Sequence, residues 1–191
     1  MRILALGGSL RESSRNRTLL NEAAVLAPPR TDLDLSALAL IGSLPHFNQD
    51  VVERDGLPPA AVELKDALRA ADGLLIATPE YNWGIPGFLK NAIDWASRPA
   101  SDIRDVFGDL PVAVIGAGGG SGTRNAQTAW VSVFRYLRMR PWFGDWLFVE
   151  RSGERFDQDG RLTDEATREQ LRTLVTRFAT YCAQLPRTRA A

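Results

Sequence analysis

Apolar residues fall into two kinds of pattern along the chain. Short unbroken runs occur at Ile3–Leu6, Gly73–Ala77 (GLLIA) and Pro111–Gly116 (PVAVIG), and each is followed by a glycine or proline turn. Unbroken apolar runs of this length read as strands covered on both faces. Between them the apolar spacing changes to threes and fours. Residues 16–26 carry apolar side chains at 19, 20, 23, 24 and 26 and run into Pro28-Pro29. Pro58-Pro59 opens a stretch with Val62, Leu64, Ala67, Leu68 and Ala71. Residues 84–96 read as a helix with Pro86 in its first turn, where proline is accepted. Residues 123–138 and 163–185 read as two more helices. Thr163 is the expected cap of the last one, with Ala166 at N3 and Asp164-Glu165 where the helix dipole favours acids. Asp32–Leu38 alternates Leu33 and Leu35 with polar partners, and Gly144–Val149 reads as an outer strand. Strand, turn and helix in repeated succession predict a doubly wound parallel α/β sheet. Such sheets take ligands beyond the carboxyl ends of their strands. The turns at 7–16, 79–86 and 116–124 are therefore where function is expected.

The 191 residues suit one domain spanning 1–191. Lys+Arg and Asp+Glu both count 23. This balance argues against a broad nucleic-acid or anionic-membrane footprint and removes one obstacle to self-association. Of the basic residues only Lys65 and Lys90 are lysine. The single cysteine, Cys182, excludes an internal disulfide and a multi-cysteine metal site. The single histidine, His46, leaves little basis for a histidine-cluster metal site or a Ser-His-Asp hydrolase. The apolar run at the N-terminus is shorter than the roughly 7–15 residues of an export signal, and no stretch reaches the roughly 18 apolar residues of a spanning helix. The expected location is the cytoplasm.

The first turn, Gly7-Gly8-Ser9-Leu10-Arg11-Glu12-Ser13-Ser14-Arg15-Asn16, joins a strand to a helix and has the makings of an anion site. Helix-start amides, short hydroxyl side chains and Arg11 all favour a phosphate, while plain serine capping would produce the same residues. It is neither a Walker loop nor a Gly-x-Gly-x-x-Gly fingerprint. The second turn, Thr78-Pro79-Glu80-Tyr81-Asn82-Trp83-Gly84-Ile85-Pro86-Gly87, combines rigid backbone with two aromatic rings. It reads as a platform for a flat ring, or as a turn whose aromatics bury against a neighbour. The third turn, 116–124, carries five of the 16 glycines and reads as bare backbone for a ligand or as a flexible loop.

Taken in order, GSLRESSRN, PEYNWGIPGFLKNAIDWASRP and GAGGGSGTRNAQ resemble the NADPH-dependent FMN reductase family, and FDQDGRLTDEATREQL is similar to that family's C-terminal end. The resemblance implies a flavodoxin-like fold: a five-stranded parallel sheet, order 2-1-3-4-5, with helices on both faces. It implies FMN as cofactor and NADPH or NADH as hydride donor. Ser9, Arg11, Ser14 and Asn16 would then lie on the FMN-phosphate loop with Arg15 beside them. Pro79, Glu80, Tyr81 and Asn82 would line the isoalloxazine ring, and Gly116, Ala117, Gly118 and Gly119 would close over its other side. No catalytic side chain and no metal ligand is expected, because the flavin carries the chemistry. Glu80 is expected to hold the loop as a carboxylate rather than to move a proton. The implied partners are a small electron acceptor (free flavin, quinone or similar) and further copies of the chain in a homodimer or homotetramer, with the helix after PEYN in the interface. The implied activity is ping-pong transfer from NAD(P)H to FMN and on to the acceptor. The rival reading is a flavodoxin-type carrier without NAD(P)H oxidation, disfavoured by the neutral charge and Arg11. Arg15 and Arg124 are candidates for a 2′-phosphate contact. Trp83 is expected to shape the acceptor pocket, Trp142 and Trp146 to pack around an outer strand, Cys182 to pack in the last helix, and His46 to sit in a loop.

Overall fold

The computed structural model describes residues 1–187. The elements run β1 (Arg2–Gly7), α1 (Arg15–Leu26), β2 (Asp32–Asp34), α2 (Leu38–Ser43), α3 (Gln49–Asp55), α4 (Pro59–Ala70), β3 (Gly73–Ala77), α5 (Gly87–Ala96), α6 (Ile103–Phe107), β4 (Pro111–Ala117), α7 (Arg124–Tyr136), β5 (Arg140–Pro141), β6 (Leu147–Val149) and α8 (Glu165–Gln184). The sheet order is β2-β1-β3-β4-β5, and every pairing is parallel.

The unbroken apolar runs are explained by where alternate side chains go. Ile3, Ala5, Leu75, Ala77, Ala113 and Ile115 pack with α1 and α8 on one face. Leu4, Leu6, Leu74, Ile76 and Val112 pack with α2, α4, α5, α6 and α7 on the other. Because helices cover both faces, neither set meets water.

Four expectations are corrected. The fifth lane of the sheet is not one strand at 144–149 but two short ones, β5 beside Pro111–Val112 and β6 beside Ile115–Ala117. Between them the chain folds over Trp142, whose indole lies 2.5 Å from where a Cβ on Gly144 would stand. β2 stops at Asp34 because its carboxylate turns the chain, accepting the Ser36 amide at 2.9 Å and the Arg2 guanidinium, so Leu38 begins a helix instead. α5 starts at Gly87 rather than 84, with Pro86 before it, because residues 81–84 form a tight reversal. The last helix is capped by Asp164, not Thr163. Its carboxylate accepts the Thr167 amide at 2.9 Å, while the Thr163 hydroxyl donates to the Arg155 carbonyl.

Cys182 is buried in α8 and faces Gly73, where an added Cβ would lie 2.6 Å from its Sγ. Burial, with the charge of Asp72, pushes its thiol up to about 12. A raised thiol has almost no nucleophilic thiolate. A disulfide exchange reagent at pH 8 should therefore leave the folded protein unmodified and label it fully in denaturant. Prompt labelling of the native protein would contradict the burial. Trp142 packs against Phe178 and Tyr181, as expected of a packing residue. Trp146 instead stacks on Phe143 and Phe148 at the surface and is 53% exposed. His46 is exposed in the loop before α3.

Candidate active site

The carboxyl ends of β1, β3 and β4 deliver the three turns to one cleft of about 560 Å³. The first and second turns meet because Gly8 has no side chain. Its amide donates to the Ala77 carbonyl at 2.8 Å, and a Cβ there would stand 2.7 Å from Pro79. The first and third turns are joined by Asn16. Its Nδ2 donates to the Ala117 carbonyl, and its Oδ1 accepts the Ala117 amide, both at 2.9 Å. A buried side-chain amide thus pairs with backbone as a strand would.

The second and third turns are joined by Glu80. Ser121 Oγ donates to its Oε1 at 2.6 Å, and the Ala126 amide donates to Oε2 at 3.0 Å, with a longer contact from Asn125. Ala126 lies in the first turn of α7, whose N-cap residue, Thr123, has φ +72° and makes no side-chain cap bond. Glu80 supplies that cap from across the cleft. Burial alone would raise its pKa, but the bonds from Ser121, Ala126 and Asn125 outweigh it and hold the carboxyl below its ordinary value. Glu80 is therefore ionised, and its oxygens are occupied.

Ser9, Arg11, Ser14, Arg15, Asn16, Pro79, Glu80, Tyr81, Ala117, Gly118 and Gly119 all line this cleft. Asn82 and Gly116 do not. Asn82 sits with Trp83 at the tip of the reversal closed by Tyr81 and Gly84. Gly116 lies within β4, pressed against Thr78 and Thr123. The Asn16 amide is spent on Ala117, which leaves one N–H for any ligand. Arg124 pairs with Glu150 at 2.6 Å and lies over Phe148, away from the cleft.

A further wall comes from the segment after β6: Arg151, Ser152, Gly153, Glu154, Asp157, Gln158 and Gly160. The Ser152 amide donates to the Gly118 carbonyl and the Arg151 amide to the Gly119 carbonyl, each at 2.9 Å. Arg15 reaches over to Ser152 Oγ at 3.2 Å. These residues were not expected to form part of the site. The segment has no apolar run or glycine spacing to mark it, and its only signal is the Asp-Gln-Asp-Gly turn.

The donor set suits a flavin nucleotide. Ser14 caps α1 by accepting the Arg17 amide, which leaves its hydroxyl hydrogen free beside the unpaired first amides of the helix. Arg11 and Arg15 add positive charge at the same end. A Cβ on Gly119 would meet no protein atom, so the bare backbone there leaves room for a ligand to lie against it.

Residues 1–153 match the family model described as NADPH-dependent FMN reductase. The chain belongs to this family. It is 40% identical over 170 residues to an NAD(P)H-dependent FMN reductase of Pseudomonas aeruginosa, covering 88% of each chain. It is 37% identical to a 2-hydroxy-1,4-benzoquinone reductase of a Burkholderia species, covering 95% of this chain and 96% of that one. Among solved structures, the FerB flavoenzyme NAD(P)H:(acceptor) oxidoreductase of Paracoccus denitrificans superposes with a TM-score of 0.82 at 31% identity, covering 97% and 99% of the two chains. The fold is the flavodoxin-like one, and the cofactors of the family are FMN and NAD(P)H. Among the described residues no helix is long and apolar enough to cross a membrane.

Proposed function

We propose that the chain is an NAD(P)H-dependent flavoprotein reductase that passes electrons from the nicotinamide, through FMN, to a quinone or a similar small acceptor. The observation that carries this reading is the meeting of an arginine-bearing helix N-terminus, a rigid proline-bounded platform and a bare glycine turn in one cleft. Bound FMN supplies hydride acceptance and electron donation. The protein holds and orients it. Ser9, Arg11, Ser14, Arg15 and the first amides of α1 would hold the phosphate. Pro79, Glu80 and Tyr81 would border the ring, and Gly118 and Gly119 would let it lie close to the backbone. Glu80 moves no proton in this scheme, because its oxygens accept hydrogen bonds that fix the loop. Of the two arginine candidates for a 2′-phosphate, Arg124 is paired with Glu150 outside the cleft, and Arg15, which lines it, is taken here for the FMN phosphate. A homodimer through α5 fits the groove of about 260 Å³ that α5 forms with α7, where Tyr136 is 68% exposed.

The test is an anaerobic stopped-flow trace of the FMN-loaded protein mixed with NADPH, followed near 450 nm. Rapid bleaching is expected, followed by recovery of colour when a quinone is added. Bound FMN that NADPH does not bleach would leave a carrier reduced by another protein.

A further inference from the structure

The tip of the second turn is built against its own conformational preference. Asn82 and Trp83 have φ of +50° and +62°, and the Tyr81 and Gly84 backbones exchange hydrogen bonds across them. A two-residue reversal with both central residues at positive φ favours Asn followed by Gly. This chain has the asparagine but places tryptophan in the glycine position, with the glycine one residue later. A bulky side chain in that region is a backbone outlier that the surrounding structure must sustain.

Little of Trp83 is buried in return. The residue is 77% exposed, more than any other large hydrophobic residue among those described. It does not belong to the cleft lining, whereas Tyr81, two residues earlier, does and is itself 46% exposed. The reversal thus carries one aromatic ring at the cleft wall and a second, strained and solvated, just outside it.

We propose that Trp83 is an acceptor-binding residue: the ring of a quinone-type acceptor packs on its indole as it enters beside Tyr81. The assignment rests on the reading of the cleft as the flavin site. An aromatic pair of this kind contributes most of a tenfold preference, and a hydride donor that meets the cleft through its charged groups gains less from it.

The variants are Trp83→Gly, which removes the ring and suits the local φ, and Trp83→Phe, which keeps a ring. In the FMN-loaded protein the ratio of kcat/KM for 1,4-naphthoquinone to that for ferricyanide, which has no ring face, should fall about tenfold in Trp83→Gly and largely return in Trp83→Phe. A binding readout accompanies it. Added to the oxidised protein without NADPH, naphthoquinone should quench less tryptophan emission in Trp83→Phe than in the wild type. An unchanged acceptor ratio overturns the assignment. If sedimentation then shows that Trp83→Gly has lost subunits, the ring is a contact between copies of the chain. A wild-type protein that takes up no FMN would overturn the reading of the cleft itself, whereas one that NADPH bleaches but whose acceptor ratio ignores Trp83 would overturn only this proposal.

Discussion

Glu80→Ala should destabilise the fold by about 2–3 kcal/mol and weaken FMN retention by about tenfold, equivalent to about 1.4 kcal/mol. The first effect follows from what the carboxylate holds. It accepts from Ser121, Ala126 and Asn125, and α7 has no cap of its own. Without it the Ala126 amide loses its partner, and the platform of the second turn comes loose from the third. The second effect follows because a loosened loop must be ordered again when the cofactor binds. Glu80→Gln separates charge from shape, since it keeps an acceptor oxygen but no charge. Because the folded-state pKa of Glu80 is depressed below the ordinary 4.5, its ionised form adds stability above that value, and this is lost as pH falls through the lowered one. The stability gap between wild type and Glu80→Gln should therefore be widest near neutrality and close in acid. Denaturant titrations at pH 7 and pH 3.5, with FMN retention measured by ultrafiltration, test both parts. A gap of equal size at both pH values would mean that the charge has no part in the cap.

Gly116→Ala should be still more damaging, at about 3 kcal/mol or more, or roughly 6–12 °C of melting temperature for a chain of this size. A Cβ there would stand 2.0 Å from Thr123 Oγ1 and 2.5 Å from the Thr78 carbonyl oxygen. The hydroxyl belongs to a residue held at φ +72° and bonded to Gln127 at 3.1 Å, and the carbonyl belongs to Thr78, the residue after β3, whose amide donates to the Ile115 carbonyl at 2.9 Å. Neither can withdraw without moving the second or third turn. Thr123→Ala added to Gly116→Ala removes the nearer clash but not the carbonyl, so it should restore only part of the loss. A Gly116→Ala protein that melts with the wild type would show that β4 and β3 can part freely there. Gly116, expected from the resemblance to close over the ligand, lies set back from the cleft lining, so a change there would be felt by the site through the sheet.

What could be read in advance follows from range along the chain. β1, β3 and β4 announce themselves because both of their faces are covered and their runs are unbroken. Their connecting turns carry glycine and proline, whose backbone limits are local. Thr163 and Asp164 are both good caps by residue type, and the choice is tertiary: the Thr163 hydroxyl is taken by the Arg155 carbonyl, eight residues away, while the Arg155 guanidinium holds the Asp164 carboxylate at 2.7 Å. The short reversal that delays α5 was hidden because Asn82-Trp83 lacks the glycine that normally marks such a turn. The wall made by residues 151–160 was illegible for another reason. Its amides are recruited by the Gly118 and Gly119 carbonyls, a partnership with no echo in its own residue types.

The two-way bond between Asn16 and Ala117 closes a separation of 101 residues. Contacts that long are among the last to repay their loop-closure entropy, and they require β1, β3 and β4 to be side by side first. A cleft that draws on all three strands is therefore complete only once they are paired. FMN that needs all three turns at once would then bind the assembled sheet. Its influence on the chain is then one of mass action on the native population, with free FMN concentration setting how much of the protein survives in the folded pool.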